Sequence, residues 1–399
     1  MNHLTSRSAL AMALAVPLVL PVPALAFEAS GNDIADRFME IMEAGNATVT
    51  GYDSVAESGD TVTITGLATT INEGDDAAKL SIASTAITGG QLADDGGLSA
   101  GALAMTQVRV DGKDKGDDIA ITVETITIAD PVLPSAASVG KAAAGTVAPG
   151  YSRAELSDIL IDAGDQGRIP VERVVARIDR MDGDLPTSGS VDLEGIRISQ
   201  DMLDDDEKKT LAELGYEELT LSAGFSGDWD PASGRLDVTR LTMGGDTSAT
   251  IDASLVLGGL TREVVEKLDQ SQEDPQQAMA LMQGLTLERM TLRIDNASLV
   301  DRLLDSQAKS SGMSRADFVA QLSGALPMML SVLNNADFQT KVAAAGTTFL
   351  NEPKSLSAVA SPANPLPLAQ VMGTAMMAPQ MLPDILNVTI AANEPKADQ

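Results

Sequence analysis

In IAITVETITIAD, residues 119–130, Ile119, Ile121 and Val123 alternate with small or polar residues, and the alternation slips by one before resuming at Ile126 and Ile128. Strict alternation marks a strand with one buried face. An extra residue sends every later side chain to the opposite face unless the ladder absorbs it. A β-bulge does so by setting two residues against one on the partner, which bends the strand and raises its twist. Two short strands joined by a bend would show the same spacing.

The slip recurs at Leu103/Met105/Val108/Val110, Val191/Leu193/Ile196/Ile198, Leu236/Val238/Leu241/Met243 and Leu285/Leu287/Met290/Leu292. Looser copies carrying Thr are Val62/Ile64/Leu67/Thr69 and Leu80/Ile82/Thr85/Ile87. Val62 to Leu103 and Leu80 to Ile121 are both steps of 41 residues, which suggests a duplicated two-strand unit within residues 60–130. Repeated mid-strand bulges predict a mainly β chain with α (α+β): an elongated, curved antiparallel sheet with helices packed on one side and in the C-terminal part.

The chain opens with Arg7, an apolar run from Ala9 to Pro23, and Ala24-Leu25-Ala26 before Phe27. That order reads as a cleaved signal peptide over residues 1–26, and the apolar run, broken by Pro17, Pro21 and Pro23, is short for a bilayer span. The expected product is periplasmic, with no integral membrane segment. Cleavage removes the only histidine, His3, and leaves 26 basic against 57 acidic residues, a formal charge of −31. Nucleic acid and anionic headgroups are poor partners for such a chain, because phosphate binding runs on Lys and Arg. Only ten aromatics occur, so Val, Ile, Leu, Ala and Met must build the core, and the aromatic girdles of an outer-membrane barrel are missing.

The organisation expected after the signal peptide is an N-terminal helix and β-meander repeats over 27–133, a small-residue linker over 134–150, an antiparallel β region with inserted helices over 151–297, and a helical region over 298–399 that ends in a strand. Residues 31–44 carry Ile34, Phe38, Ile41 and Met42 at helical spacing and stop at Gly45-Asn46. Asp201–Leu214 begins acidic, as a helix N-terminus prefers. Thr261–Met282 reads as a helix or helix pair broken near Pro275. Leu299–Gln307, Ser314–Leu333 and Ala336–Leu350 read as helices, with Ser314 and Asp317 as a cap signal, and residues 385–393 as a strand. Val171–Arg180 fits helix and strand alike, since its Val171, Val174, Val175 and Ile178 keep helical spacing while their branching favours a strand.

From Leu214 to Leu260 turn chemistry separates clear strands, with Asp230-Pro231-Ala232-Ser233-Gly234 as a hairpin loop. The LGYEELTL start at Leu214, the Trp229-Asp230-x-x-x-Gly234-x-Leu236 hairpin and the surrounding strand and helix alternation resemble Gram-negative periplasmic envelope proteins of the broad YdgA-like and AsmA-like type, mainly over residues 190–300. The resemblance implies a long antiparallel sheet, in relatives often associated with lipid handling. This chain departs from them in lacking a persistent N-terminal membrane anchor.

Without His or Cys, residues 27–399 supply neither a Ser-His-Asp triad nor a thiol nucleophile nor the usual zinc or haem ligands. Ser138/Lys141 and Ser306/Lys309 satisfy S-x-x-K, but the K-T-G and S-D-N partners of that chemistry are absent. DGKDKGDD at 111–118 would place Lys113 and Lys115 at cation-ligand positions, which disqualifies it as a calcium loop and leaves a hairpin turn. Asp204-Asp205-Asp206-Glu207 reads as an acidic first helical turn. Asp228 and Asp230 are spaced as glycosidase acids are, although they bound the hairpin loop. Met-rich ALPMMLSVL at 325–333, with Met376, Met377 and Met381, suits either a core or a soft lipid-binding surface, and core packing is the expectation.

The expected function is non-catalytic and periplasmic, with no cofactor and no metal: binding or transport of a lipid or other apolar ligand along a β trough. A scaffold for an envelope protein partner is the alternative, and a carboxylate-dependent polysaccharide hydrolase a second one.

Overall fold

A computed structural model describes residues 27–396 apart from 46, 74, 75, 115, 116, 140–149, 165, 166, 184, 204 and 271–274. The expected signal peptide, and Lys141, Lys115, Gly116 and Asp204, therefore lie outside the described residues. The chain divides into two compact units. Unit 1 runs to Ile178 and includes Leu193–Ile196 and Asp201–Leu203; unit 2 comprises Asp179–Asp192, Arg197–Gln200 and Asp204–Gln399. Both are mainly antiparallel sheet with helices, as the strand patterning requires.

Unit 1 holds α1 (Asp33–Ala44) and the strands β1 (Ala47–Gly51), β2 (Ser54–Ser58), β3 (Thr61–Glu73), β4 (Asp76–Thr88), β5 (Ala102–Asp114), β6 (Asp117–Ala129), β7 (Arg153–Asp162) and the start of β8 (Arg168–Asp182). Spatial order is β1-β3-β4-β5-β6-β7-β8, all antiparallel neighbours, with β2 also on β3. Asn32 caps α1 by accepting from the amides of Ile34 and Ala35. Ala35, Phe38, Met39 and Ile41 on the inner face of the helix join the sheet's core cluster. Residues 134–150, read as a linker, connect the neighbouring strands β6 and β7, and Gly150 pairs with Val132 there.

The slipped copies line up in the sheet. Ile64, Thr85, Met105, Ile126, Leu156 and Val174 form one cross-strand row, and Leu67, Ile82, Val108, Val123, Ile159 and Val171 the next. Every member of the second row is buried. The 41-residue step carries Val62 on β3 to Leu103 on β5 within a single row, so the duplication preserves register.

The interruption between these rows is not the expected two-against-one bulge. Register is identical on its two sides in every pair from β3 to β8, and one residue on each strand drops out of the pairing: Gly66, Ala83, Gln107, Glu124, Asp158 and Glu172. Each strand carries the same single insertion, so no strand slips relative to its neighbour and both apolar halves stay on one face. Gly66, Gln107 and Asp158, on alternate strands, take a left-handed backbone with φ of 68°, 50° and 52°. Gly195, on β9 (Leu185–Ser199), does the same at 67°.

Residues 171–180 are strand, and the matched skip explains the ambiguity. Val171, Val174 and Ala176 follow inward at spacings of three and two, and with Val175 they imitate a helical stripe.

Unit 2 contains the meander β10 (Glu218–Asp230), β11 (Arg235–Gly244), β12 (Ala249–Gly258) and β13 (Thr286–Asn296), extended by β14 (Ser355–Ala360) and β15 (Thr389–Ala392). Here the slips are true bulges. Thr239 and Arg240 on β11 together oppose Ser254 of β12, and Glu288 of β13 is the extra residue between Leu287 and Arg289 against Leu257 and Val256. The helices are α2 (Asp205–Glu213), α3 (Arg262–Gln270), α4 (Pro275–Gln283), α5 (Leu299–Ser310), α6 (Arg315–Met329), α7 (Ala336–Asn351) and α8 (Leu368–Met377). Ser314 caps α6 by accepting from the Asp317 amide, as its sequence signals. Helix α8 lies in the region expected to be helical, although no separate helix is expected there.

Candidate functional site

In unit 2 the bulges keep the two sides of the meander chemically distinct. One side carries charge: Arg180 donates to Asp228 at 2.5 Å, Arg240 to Asp192 at 2.5 Å, Lys396 to Asp252 at 2.8 Å, and Arg235 reaches both Asp237 and Glu288. The other side carries the rows Phe225–Leu241–Ala253–Leu292 and Ala223–Met243–Ile251–Ile294, with Met290 opposite Leu255. This apolar side is closed at the end near Trp229. There Trp229 is 9% exposed and donates its indole N–H to the Leu260 carbonyl at 2.6 Å, and Leu285 and Leu287 are buried. Over the rest, Phe225, Leu241, Met243, Ile251, Met290 and Leu292 are each 41–61% exposed.

An apolar sheet face normally lies against a second layer, because each buried Leu or Met side chain gains roughly 1.5–3 kcal/mol over the same group in water. A contiguous apolar patch left open, bordered by a well-paired charged face, has the composition of a binding surface. The apolar side of unit 1 differs. Its row from Leu67 to Val171 is buried, and the cavity among Phe38, Ile87, Leu98 and Leu103 holds only about 10 Å³. On its polar side the unpaired row Gly66, Ala83, Gln107, Glu124 and Asp158 lines an open depression of about 450 Å³.

The Met-rich segments are exposed, which corrects the core-packing expectation. Met328 is 75%, Val332 79%, and Met376 and Met377 each 86% exposed, and Met329 and Met381 are more than half exposed. Residues 315–333 are, among the described residues, the one helix long and apolar enough to cross a membrane, with 6% of its apolar window buried. The signal available in the sequence was charge: no Asp, Glu, Lys or Arg occurs from Phe318 to Ala336 or from Ser355 to Pro383. The open sheet face left no such signal, since the same alternation serves a covered face.

The described residues weighed for catalysis make local structural contacts, and Lys141 lies outside the described residues. Ser138 shares a 2.8 Å hydrogen bond with Ser135. On α5, Leu304 and Ala308 are buried and Lys309 points into solvent. Residues 111–114 and 117–118 are the ends of the paired strands β5 and β6, with Lys113 opposite Asp118. Asp205, Asp206 and Glu207 form the acidic first turn of α2. Asp230 accepts from the Ser233 hydroxyl at 2.6 Å and the Ala232 amide at 3.0 Å and so shapes the hairpin turn. Hydrogen bonds from Ser188 and then Arg180 hold the Asp228 carboxyl below its usual range, and the Ser233 and Ala232 bonds do the same for Asp230. Neither is raised, as the general acid of a glycosidase must be. Among the described residues no group of His, Cys, Asp and Glu is arranged to hold a metal ion.

A family model described as "Uncharacterized protein" matches residues 242–393, less than half of the chain and all within unit 2. That span contains Met243, Ile251, Met290 and Leu292 of the open face and all of the exposed Met-rich helices. No curated protein matches the chain.

Proposed function

We propose that this is a non-catalytic envelope protein, exported to the periplasm, whose unit 2 binds a lipid or another elongated apolar ligand across the open face of β10–β13. The single observation that supports this reading is the exposure of Phe225, Leu241, Met243, Ile251, Met290 and Leu292 on one side of a sheet whose other side is covered by ion pairs. Met and Leu side chains adapt to ligands of varied shape, and an acyl chain lying across two cross-strand rows would withdraw several of them from water together. Export rests on the signal-peptide pattern of residues 1–26. The YdgA-like and AsmA-like resemblance points the same way, toward lipid handling.

The test is transfer of a fluorescent phospholipid between vesicles in the presence of the full chain. Wild type accelerates transfer, and the Leu241→Asp/Met243→Asp double variant, altered at positions already more than half exposed, folds normally and loses the acceleration. A wild-type protein that moves no lipid and carries none sinks the proposal and leaves the second reading, a scaffold whose open face meets an envelope protein.

A further inference from the structure

Two segments without formal charge come together in unit 2. Phe318–Ala336 and Ser355–Pro383 contain no Asp, Glu, Lys or Arg, in a chain whose residues are 21% charged. The Asn335 side-chain amide donates to the Gln380 carbonyl and to the Asp384 carboxylate, both at 3.1 Å, which ties the end of the first segment to the end of the second. Around that tie the two segments expose Met328, Met329, Val332, Met376, Met377 and Met381 at 51–86%.

The other end of the same helix is anchored in charge. Arg315, at the start of α6, donates to Asp301 of α5 at 2.5 Å and reaches Asp305. Val319 is buried, and Leu326 lies against Gly346 of α7. The helix is held at its charged end by these contacts, with Pro327 in its last turn, and presents its apolar C-terminal end, as an interfacial element does.

We infer that this methionine-rich tip docks unit 2 on the surface of a bilayer with zwitterionic headgroups, sinking Met328, Val332, Met376 and Met377 to the acyl boundary. Charge selects the occupant. A protein of formal charge −30 is repelled by an anionic surface. The two segments hold no cation to recruit one, and the exposed carboxylates that directly follow them, Asp337 and Asp384, add to the repulsion from an anionic surface. Flexible thioethers suit a fluid hydrocarbon boundary, and their insertion is driven by apolar burial, which salt does not screen. The tip is distinct from the open sheet face, so this inference stands or falls separately from the lipid-binding proposal.

The test is flotation of the full chain with phosphatidylcholine vesicles and with phosphatidylglycerol vesicles. Wild type floats with phosphatidylcholine at low salt and equally at high salt, and floats less with phosphatidylglycerol. Met376→Asp/Met377→Asp lowers the vesicle-bound fraction at least tenfold, whereas Leu241→Asp/Met243→Asp leaves it unchanged. The chain has no cysteine, so Met376→Cys takes a single environment-sensitive dye, whose emission shifts to the blue on adding phosphatidylcholine vesicles. Failure of wild type to float with phosphatidylcholine, flotation that survives the double Asp substitution, or a dye shift produced by self-association without vesicles would each overturn the inference.

Discussion

At the scale of single residues, the matched skip sets glycine and non-glycine in the same backbone state. Gln107 and Asp158 hold φ near 50° in mid-strand, a region that disfavours L side chains by roughly 1–2 kcal/mol. Against that, glycine loses more freedom on folding, about 0.5–1 kcal/mol. Gln107→Gly and Asp158→Gly should therefore each be neutral to stabilising by up to about 1 kcal/mol, read from urea unfolding. The reverse change is expected to be severe. A Cβ on Gly66 would sit 2.1 Å from an Asp53 carboxylate oxygen, and one on Gly195 2.5 Å from the Glu172 Cβ, so Gly66→Ala and Gly195→Ala should each destabilise by more than about 1 kcal/mol. Asp228 offers a pH test. Its carboxyl is held down by Ser188 and Arg180, so its ionised form contributes stability above the unfolded-state pKa, and that contribution is lost as pH falls through the lower folded-state value. Asp228→Asn should be less stable than wild type at neutral pH, by a few tenths of a kcal/mol for so exposed a pair, and the gap should close in acid.

At the scale of elements, the skip makes a prediction about length. Deleting Gln107 restores plain alternation in β5 and leaves Leu103, Met105, Val108 and Val110 facing inward, while the neighbours' skips become ordinary bulges against it. Deleting Ala104 turns the buried Leu103 outward and offers Ala102 in its place. The first deletion should cost about 1–2 kcal/mol, the second about 2–5, as for a buried Leu→Ala change. Similar losses in the two variants would show that the rows are not held in register by the skip. Much of this was legible in the sequence, since the slipped copies, their 41-residue step, the Asp230–Gly234 loop and the Ser314 cap all mark elements seen in the fold. What was hidden was the kind of slip. A single chain shows that a strand has an extra residue, not whether its neighbour carries one too, and residues 171–180 looked half helical because a spacing of three belongs to both geometries. Apolar periodicity likewise shows which side of β10–β13 is greasy but not how far its residues stay exposed.

At the scale of the whole molecule, the two units use one sequence device to different ends. In unit 1 the matched skips keep four apolar rows on one face, and α1 joins the core cluster they form. In unit 2 the bulges at Thr239/Arg240 and Glu288 keep ion pairs on one face and leave the other open. Asp228 and Asp230 are engaged in an ion pair and a turn, and the role proposed for unit 2 rests on apolar contact. Native mass spectrometry of the gently purified full chain, beside Leu241→Asp/Met243→Asp, tests that account most directly. Wild type should carry an adduct of lipid mass that the double variant has lost; a wild type that flies at its bare mass and takes up no added lipid would contradict it.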